Sequence, residues 1–385
     1  MHLIENSASR AFDLAVIGGG PAGTSAAITA ARTGARVLLL ERGRLPRQRV
    51  CGEFVSSESL ALLAGLLQQT APGLLRQAIR IPEARFFFDG RALAAPVDPP
   101  AASIARFDLD FALWQAAEQC GVVTRTEMAV ERIVRDDFFH LMTNAREAQN
   151  MPPKNKFRAR AVINATGRWS NLRRQSLAEE SNSTKKWLGL KAHFSEPAPN
   201  PSVDLYFFEG RYCGVQPVTV ADNASSTGRI NACAMVRSDV ARSLKEVFAQ
   251  QPQLAERALH WQPLTEVVST SPLIFRDPEP VDNGMLLAGD AAGFVDPFVG
   301  DGISLALRSG ALAAECLMPF LSSHGSLAAA ASQYQREYRE RLLPVFRNSS
   351  KLRRLLGLPR LVRRAVGHLL ETTPAVSRLL VRLTR

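Results

Sequence analysis

The feature that most constrains this chain is a run of glycines set between a strand and a helix. Phe12-Asp13-Leu14-Ala15-Val16-Ile17 is a short apolar run that ends in Gly18-Gly19-Gly20-Pro21-Ala22-Gly23. Thr24 to Thr33 then carries Ala and Ile at helical spacing, Gly34 stops that helix, and Ala35 to Leu40 reads as a second buried strand ending at Glu41. Alone, G-x-G-x-x-G is a weak signal; between a strand and a helix it marks a dinucleotide site. Gly18 makes the tight turn, Gly20 lets the backbone approach a pyrophosphate, and Gly23 lets the helix pack close to the strands. The helix N-terminus adds unpaired N–H groups and a partial positive charge. Glu41, 23 residues beyond Gly18, sits where a carboxylate accepts hydrogen bonds from both ribose hydroxyls and repels a 2′-phosphate. FAD and NAD remain open at this point.

Three later segments favour FAD. Ala105 to Leu113 opens a helix that runs to about Cys120, with Asp108 as its expected N-cap and Arg106 placed to reach a phosphate or the ribityl chain. Arg160 to Gly167 is a strand ending in the small-residue turn Ala165-Thr166-Gly167, which lets a cofactor cross the sheet edge. In Gly284 to Gly293 a strand delivers Asp290, whose carboxylate can hold a polyol hydroxyl. Gly300 and Gly302 then open a long helix whose N–H groups would face the pyrimidine edge of an isoalloxazine and favour the anionic reduced ring.

In this order the segments resemble the flavoprotein superfamily of aromatic-ring hydroxylases and geranylgeranyl reductases, in patches from about Phe12 to Ser309. The likeness is greater to the geranylgeranyl reductase-like branch, through Arg49-Val50-Cys51-Gly52-Glu53, the Gly289–Gly302 run, and Ala306-Leu307-Arg308-Ser309-Gly310. The resemblance implies that Gly18, Gly20, Ala22 and Gly23 hold pyrophosphate, Glu41 the adenosine ribose, Arg106 the phosphate or ribityl region and Asp290 the ribitol. Gly300, Gly302 and Ile303 would meet the ring edge, with Cys51 and Gly52 beside it; Pro21, Arg42, Thr166, Gly167, Gly289 and Pro297 complete the expected cofactor wall. Departures are visible: Thr166-Gly167 stands where hydroxylases carry Asp-Gly, Tyr212 to Pro217 lacks the Trp of archaeal lipid reductases, and the Trp-x-Trp-x-Ile-Pro of flavin halogenases is absent.

The expected fold is α/β: a Rossmann-type FAD-binding domain, an interleaved and mostly antiparallel sheet domain for substrate, and a helical C-terminal tail. Residues 1–75, 102–178 and 272–335 fall to the first, 76–101 and 179–271 to the second, and 336–385 to the tail. Phe86 to Arg91 with Leu93 reads as a hairpin; Leu188–Phe194, Val203–Phe208, Gly214–Val220 and Arg229–Val236 as further strands; Lys245–Leu259 as a covering helix. A sheet over the flavin makes an interdomain pocket, for which Phe88, Tyr206, Phe208, Tyr212, Phe294 and Phe298 are the candidate lining residues. Candidate catalytic residues are Cys51, Asp296 and Asp301, none with an assigned role, while His140, His193 and His260 read as lone structural histidines.

Charge and composition narrow the function classes. Net charge is +11, but residues 351–385 hold nine Lys or Arg against Glu371 alone, so the body is nearly neutral and nucleic-acid binding is not expected. Within that tail Leu and Val recur at helical spacing, cut by Pro359 and Pro374; helices packed on the body are the first reading and contact with an anionic membrane the second. Five irregularly spaced cysteines, no metal-ligand cluster, a polar Met1–Arg10 and no uninterrupted apolar run of about 18 residues point to a cytoplasmic location, with membrane association through the tail as the variant. The favoured function is an NAD(P)H-driven FAD oxidoreductase that reduces a carbon–carbon double bond of an isoprenoid- or polyketide-like molecule, NADH or NADPH docking transiently. Flavin monooxygenase is the alternative, followed by halogenase and non-catalytic flavin protein.

Overall fold

The computed structural model describes residues 11–68, 70–145, 155–168, 172, 186–209, 211–219, 228–271, 273, 275, 277–297 and 300–356. In chain order, β1 (Phe12–Ile17), α1 (Pro21–Ala31) and β2 (Val37–Leu40) form the opening unit. β3 (Phe54–Val55), α2 (Leu60–Leu67), α3 (Pro72–Gln77), β4 (Ile79–Phe88) and β5 (Arg91–Ser103) follow. Next come α4 (Arg106–Gln119), β6 (Val123–Arg125), β7 (Met128–Arg135), β8 (Phe139–Ala145) and β9 (Asn155–Asn164). The second half holds β10 (Trp187–Glu196), β11 (Ser202–Phe208), β12 (Arg211–Pro217), β13 (Gly228–Arg237), α5 (Leu244–Phe248) and α6 (Pro252–Arg257). It ends with β14 (Gln262–Pro263), β15 (Val268–Thr270), β16 (Val281–Asp282), β17 (Met285–Leu287), α7 (Gly302–Leu321), α8 (Leu327–Arg341) and α9 (Leu343–Leu356).

The first sheet runs β16-β17-β9-β1-β2-β6, and its central pairs β17–β9, β9–β1, β1–β2 and β2–β6 are all parallel. Buried on both faces, these strands are continuously apolar, as in Val37-Leu38-Leu39-Leu40. The antiparallel hairpin β7–β8 is appended to β9. The mixed α/β architecture with its C-terminal helices is the one expected. α7 has 20 residues and is long and apolar enough by length and composition to cross a bilayer. No such stretch was expected from the sequence, because charges interrupt it. Here it is a core helix: Ser25 Oγ donates to Leu307 O at 2.8 Å, so α1 and α7 cross in close contact.

The second sheet runs β14-β10-β13-β12-β11-β4-β5-β3, antiparallel except where β11 and β4 run side by side, with β15 added to β10. The Phe86–Leu93 hairpin forms as expected, Asp89 and Gly90 both taking the positive φ that its two-residue turn requires. The single covering helix does not form. Pro252 cannot continue a helix from Phe248, so the segment splits into α5 and α6, the second capped by Gln251, whose side chain accepts from Leu254 N. Asp108 is not the N-cap of α4 either: the helix starts at Arg106 after Ala105, and Asp108 lies in its first turn.

The sheets and helices cross two of the expected domain limits. β5 continues through 101/102 to pair Ser103 with Phe54, and α8 runs unbroken through 335/336. Tyr334 donates to Leu287 O at 2.8 Å, and Tyr338 and Phe346 are buried in the first core, which ties this helical segment to the first domain. The tail beyond residue 356, including Pro359, Pro374 and most of its basic residues, lies outside the described residues.

Candidate functional site

One cavity of about 1410 Å³ runs from the strand ends of the first sheet to the inner face of the second. Its first-domain end is built on backbone. Gly18 has φ +110°, and a Cβ there would lie 2.2 Å from Ala165 O; one on Gly23 would lie 1.8 Å from Gly18 O. Both positions are closed to side chains, as the tight turn and close helix packing demand. Gly20, the N-cap of α1, has no side-chain cap, and among the described residues the one atom within 4 Å of where a Cβ would lie is Arg106 Nη2, at 3.9 Å. The first N–H groups of α1 therefore open onto the cavity with a guanidinium beside them. α7 is likewise uncapped by a side chain at Asp301, and Gly302 has open space beside it.

Charge gathers at this end. Glu41 is buried, accepts from Gly19 N and Gly43 N at 2.9 Å each, and pairs with the Arg47 guanidinium. Its carboxylate thus braces the turn itself while facing the cavity. Arg106 is held in a two-point pair with Asp110 at 2.8 Å, one helical turn on. Arg49, also on the cavity wall, has its pKa pressed down to about 10 by burial and by the Arg47 guanidinium. Glu41 and Asp110 offset this only in part, so an anionic group brought to this wall would meet uncompensated guanidinium charge. Asp290 lies 3.6 Å from Arg168; burial raises its pKa, opposed by Arg168 and Arg106. These features fit FAD: a glycine cradle with open space, uncapped helix starts at both ends, and surplus guanidinium.

Of the sequence-derived cofactor residues, Gly18, Gly20, Pro21, Ala22, Glu41, Arg42, Cys51, Gly52 and Arg106 lie on the cavity wall. Thr166, Gly167, Gly289, Asp290, Pro297, Gly300, Gly302 and Ile303 do so as well. Gly23 does not, being packed under Gly18. Among the catalytic candidates Asp301 and Cys51 line the cavity, whereas Asp296 is buried off its wall, beside Tyr212. Burial raises the Cys51 pKa, so at neutral pH this residue is a thiol and not a thiolate nucleophile.

The second-sheet end is built on side chains, and two of the expected aromatics face the wrong way for it. Phe88, Tyr212 and Phe294 line the cavity; Phe298 lies outside the described residues. Tyr206 and Phe208 do not line it. They alternate with Leu205 and Phe207, and it is the latter two that face the cavity. Tyr206 and Phe208 instead join the core under α5 and α6 with Phe248 and Trp261. The Tyr206 ring stacks on Phe87 at 4.4 Å, and its hydroxyl accepts from Arg257 Nη1 at 3.0 Å. Phe86, Leu273 and Met235 complete the apolar wall, and Arg168 lies over the Phe294 ring at 4.2 Å. Burial, and then the Asp296 carboxylate, push the Tyr212 pKa well above its ordinary value, so its hydroxyl keeps its proton.

The sequence also missed a buried ionic cluster. Glu53 Oε1 accepts from Lys191 Nζ and from Arg106 N at 3.0 Å each, and Glu53 Oε2 lies 2.6 Å from His193 Nε2. Burial raises the Glu53 pKa, but His193 and Lys191 outweigh it, so the group titrates below the ordinary carboxylate value. The signal was period-two alternation: Gly189, Lys191 and His193 share one face of β10.

The sequence pattern of the family described as an FAD binding domain matches residues 11–348. The chain is 25% identical over 347 residues to the conditioned medium factor receptor 1 of Dictyostelium discoideum. That match covers 82% of this chain and 66% of the relative, just under two thirds of its length. It is 25% identical to digeranylgeranylglycerophospholipid reductase 2 of Methanopyrus kandleri, over 90% of this chain and 87% of that one. It is 26% identical to a menaquinone reductase of Mycobacterium tuberculosis, over 79% and 76%. Among solved structures, a flavoprotein/dehydrogenase from Cytophaga hutchinsonii has a TM-score of 0.75 at 18% identity, covering 97% of this chain and 92% of that one. The myxobacterial chondrochloren halogenase has a TM-score of 0.71 at 20% identity, covering 98% and 91%. At such identities these two show the shared fold.

Proposed function

Because the chain belongs to the FAD-binding-domain family and is an FAD-dependent oxidoreductase, we propose that it uses NADH or NADPH to reduce a carbon–carbon double bond in a hydrophobic, isoprenoid-like molecule. The observation that carries this reading is the second half of the cavity: Phe86, Leu205, Phe207, Met235, Leu273 and Phe294 offer an extended apolar wall continuous with the glycine cradle. Relatives named for a digeranylgeranyl glycerophospholipid and for menaquinone support the same substrate class. A polyketide-like molecule of similar shape is the nearest competitor.

The cradle of Gly18, Gly20 and Ala22, with Arg49 and Arg106, would hold the FAD diphosphate, and Asp290 its sugar alcohol. Bound there, FAD supplies hydride transfer between a nicotinamide and the substrate. The aromatic wall orients the substrate and excludes water. Tyr212, a residue of that wall, is held as a neutral phenol. The sequence has no second glycine fingerprint for a nicotinamide dinucleotide, in keeping with a donor that docks transiently.

Flavin-loaded protein is to be incubated strictly without O₂ with NADH or NADPH and a panel of polyprenyl and polyketide alkenes. Saturated product is expected from the polyprenyl members. Product that forms only once O₂ is admitted would turn the assignment to a monooxygenase.

A further inference from the structure

The strap Cys51-Gly52-Glu53 is stitched to the second sheet and to the segment between β5 and α4. Asn231 Nδ2 of β13 donates to Cys51 O at 2.9 Å, Ile104 N donates to Glu53 O at 3.0 Å, and Glu53 N lies 3.3 Å from Cys51 Sγ. Glu53 itself is fully buried in the left-handed backbone region at φ 62°, a costly conformation for a side-chain-bearing residue. Its carboxylate meets Lys191, also fully buried, and His193, while Lys191 Nζ donates on to Gln48 Oε1 at 2.6 Å. Gly52, between the stitched residues, faces open cavity.

The strap leads directly to the start of α7. The Phe54 ring packs against Gly300, Ser56 N and Ser56 Oγ bond Ser304 Oγ at 3.1 and 2.7 Å, and Ser59 Oγ reaches Ser304 O. Glu53 thus lines the cavity one residue before Phe54, which meets the start of α7, and Lys191 stands behind it off the wall. Apolar side chains could hold the strap against β10 without the desolvation that a buried ion pair carries, so cohesion is a poor reason for keeping these charges. In a low-dielectric wall they set a field instead.

We propose that Glu53, Lys191 and His193 form a charge-balanced clamp that sets the reduction potential of bound FAD, with Glu53 as the positioning residue that also fixes the Cys51-Gly52 turn. The inference rests on FAD binding and not on the alkene reaction. Reduction of a flavin adds negative charge, which Glu53 opposes and Lys191 favours. Removing either charge must therefore move the potential in opposite directions, which loss of packing alone would not do.

The test is dye-equilibrated anaerobic reduction of the full-length flavin-loaded chain, without substrate, for wild type, E53Q, K191M and the double variant. E53Q is expected to raise the midpoint potential. K191M is expected to lower it, and the double variant should fall between them. Shifts of the same sign, or none, overturn the clamp. Should E53Q fail to fold with flavin, K191M alone decides: a lowered potential supports the proposal and an unchanged one overturns it. Wild-type protein that refuses FAD sinks this inference together with the flavin reading. Failure of the alkene reaction does not enter a potential measured without substrate.

Discussion

At the first-domain end of the cavity the wall is mostly backbone, with guanidinium groups set around it; at the second-sheet end it is side chains hung on strands. The difference decides how each end responds to change. A backbone cradle has no rotamers to adjust, so a single added methyl in the wrong place strikes a carbonyl: at Gly23 the clash would be at 1.8 Å, with nothing flexible to yield. A wall of Phe86, Leu205, Phe207 and Met235 can repack, and it tolerates substitution while its volume and apolarity are kept. One end fixes what is held, and the other sets what is accepted.

Gly23→Val breaks the rigid end outright and has the largest expected effect. The purified variant should carry almost no flavin, its FAD dissociation constant rising at least a hundredfold, about 2.7 kcal/mol, as read by FAD fluorescence. A variant that stays yellow would show that the turn under Gly18 is adaptable after all.

The contrast also explains what the sequence revealed. Gly18 and Gly23 were legible because each answers a backbone requirement that no other residue meets, and Asp290 and Gly302 because they sit in the turn just after a strand and at the start of a helix. The strands of the second sheet were legible too. Which face of β11 is wet was not: Tyr206 and Phe208 look like better pocket residues than Leu205, yet an odd-even choice sends them under α5 and α6. Phe87 against Phe86 poses the same ambiguity, resolved only by the Phe87–Tyr206 stack. Glu53, Lys191 and His193 were missed because their meeting joins positions 138 and 140 residues apart, a pairing that no local pattern announces.

The second sheet gives a paired test of that alternation. Phe208→Ala should destabilise the protein by about 3 kcal/mol, the usual loss for a truncated core aromatic, and leave the Michaelis constant for an apolar substrate near wild type. Phe207→Ala should do the reverse. Its stability loss should be small, while the Michaelis constant rises about tenfold, about 1.4 kcal/mol, through lost contact in the cavity. Thermal melts and steady-state kinetics on the two neighbours settle which face is functional, and equal losses of stability would contradict the assignment of faces.

The smallest expected effect returns to the cradle end and concerns Asp290. Its carboxyl is a third exposed on the cavity wall, and burial holds its pKa above the ordinary 3.8 against the pull of Arg168 and Arg106. A carboxyl raised on folding binds its proton more tightly in the native state. Asp290 therefore takes nothing from wild-type stability below pH 3.8, and its cost grows as pH rises through the native value. Asp290→Asn cannot ionise, so the apoprotein variant should match wild type in acid and melt slightly higher at neutral pH. The same change removes a charged acceptor for the sugar alcohol of FAD, so affinity for the cofactor should fall severalfold as apoprotein stability rises. Calorimetry of the apoproteins at acid and neutral pH, together with FAD titrations, checks both signs. A neutral-pH melting point that fell in Asp290→Asn would mean that Arg168 and Arg106 outweigh burial, and that Asp290 steadies the empty fold instead of waiting for its ligand.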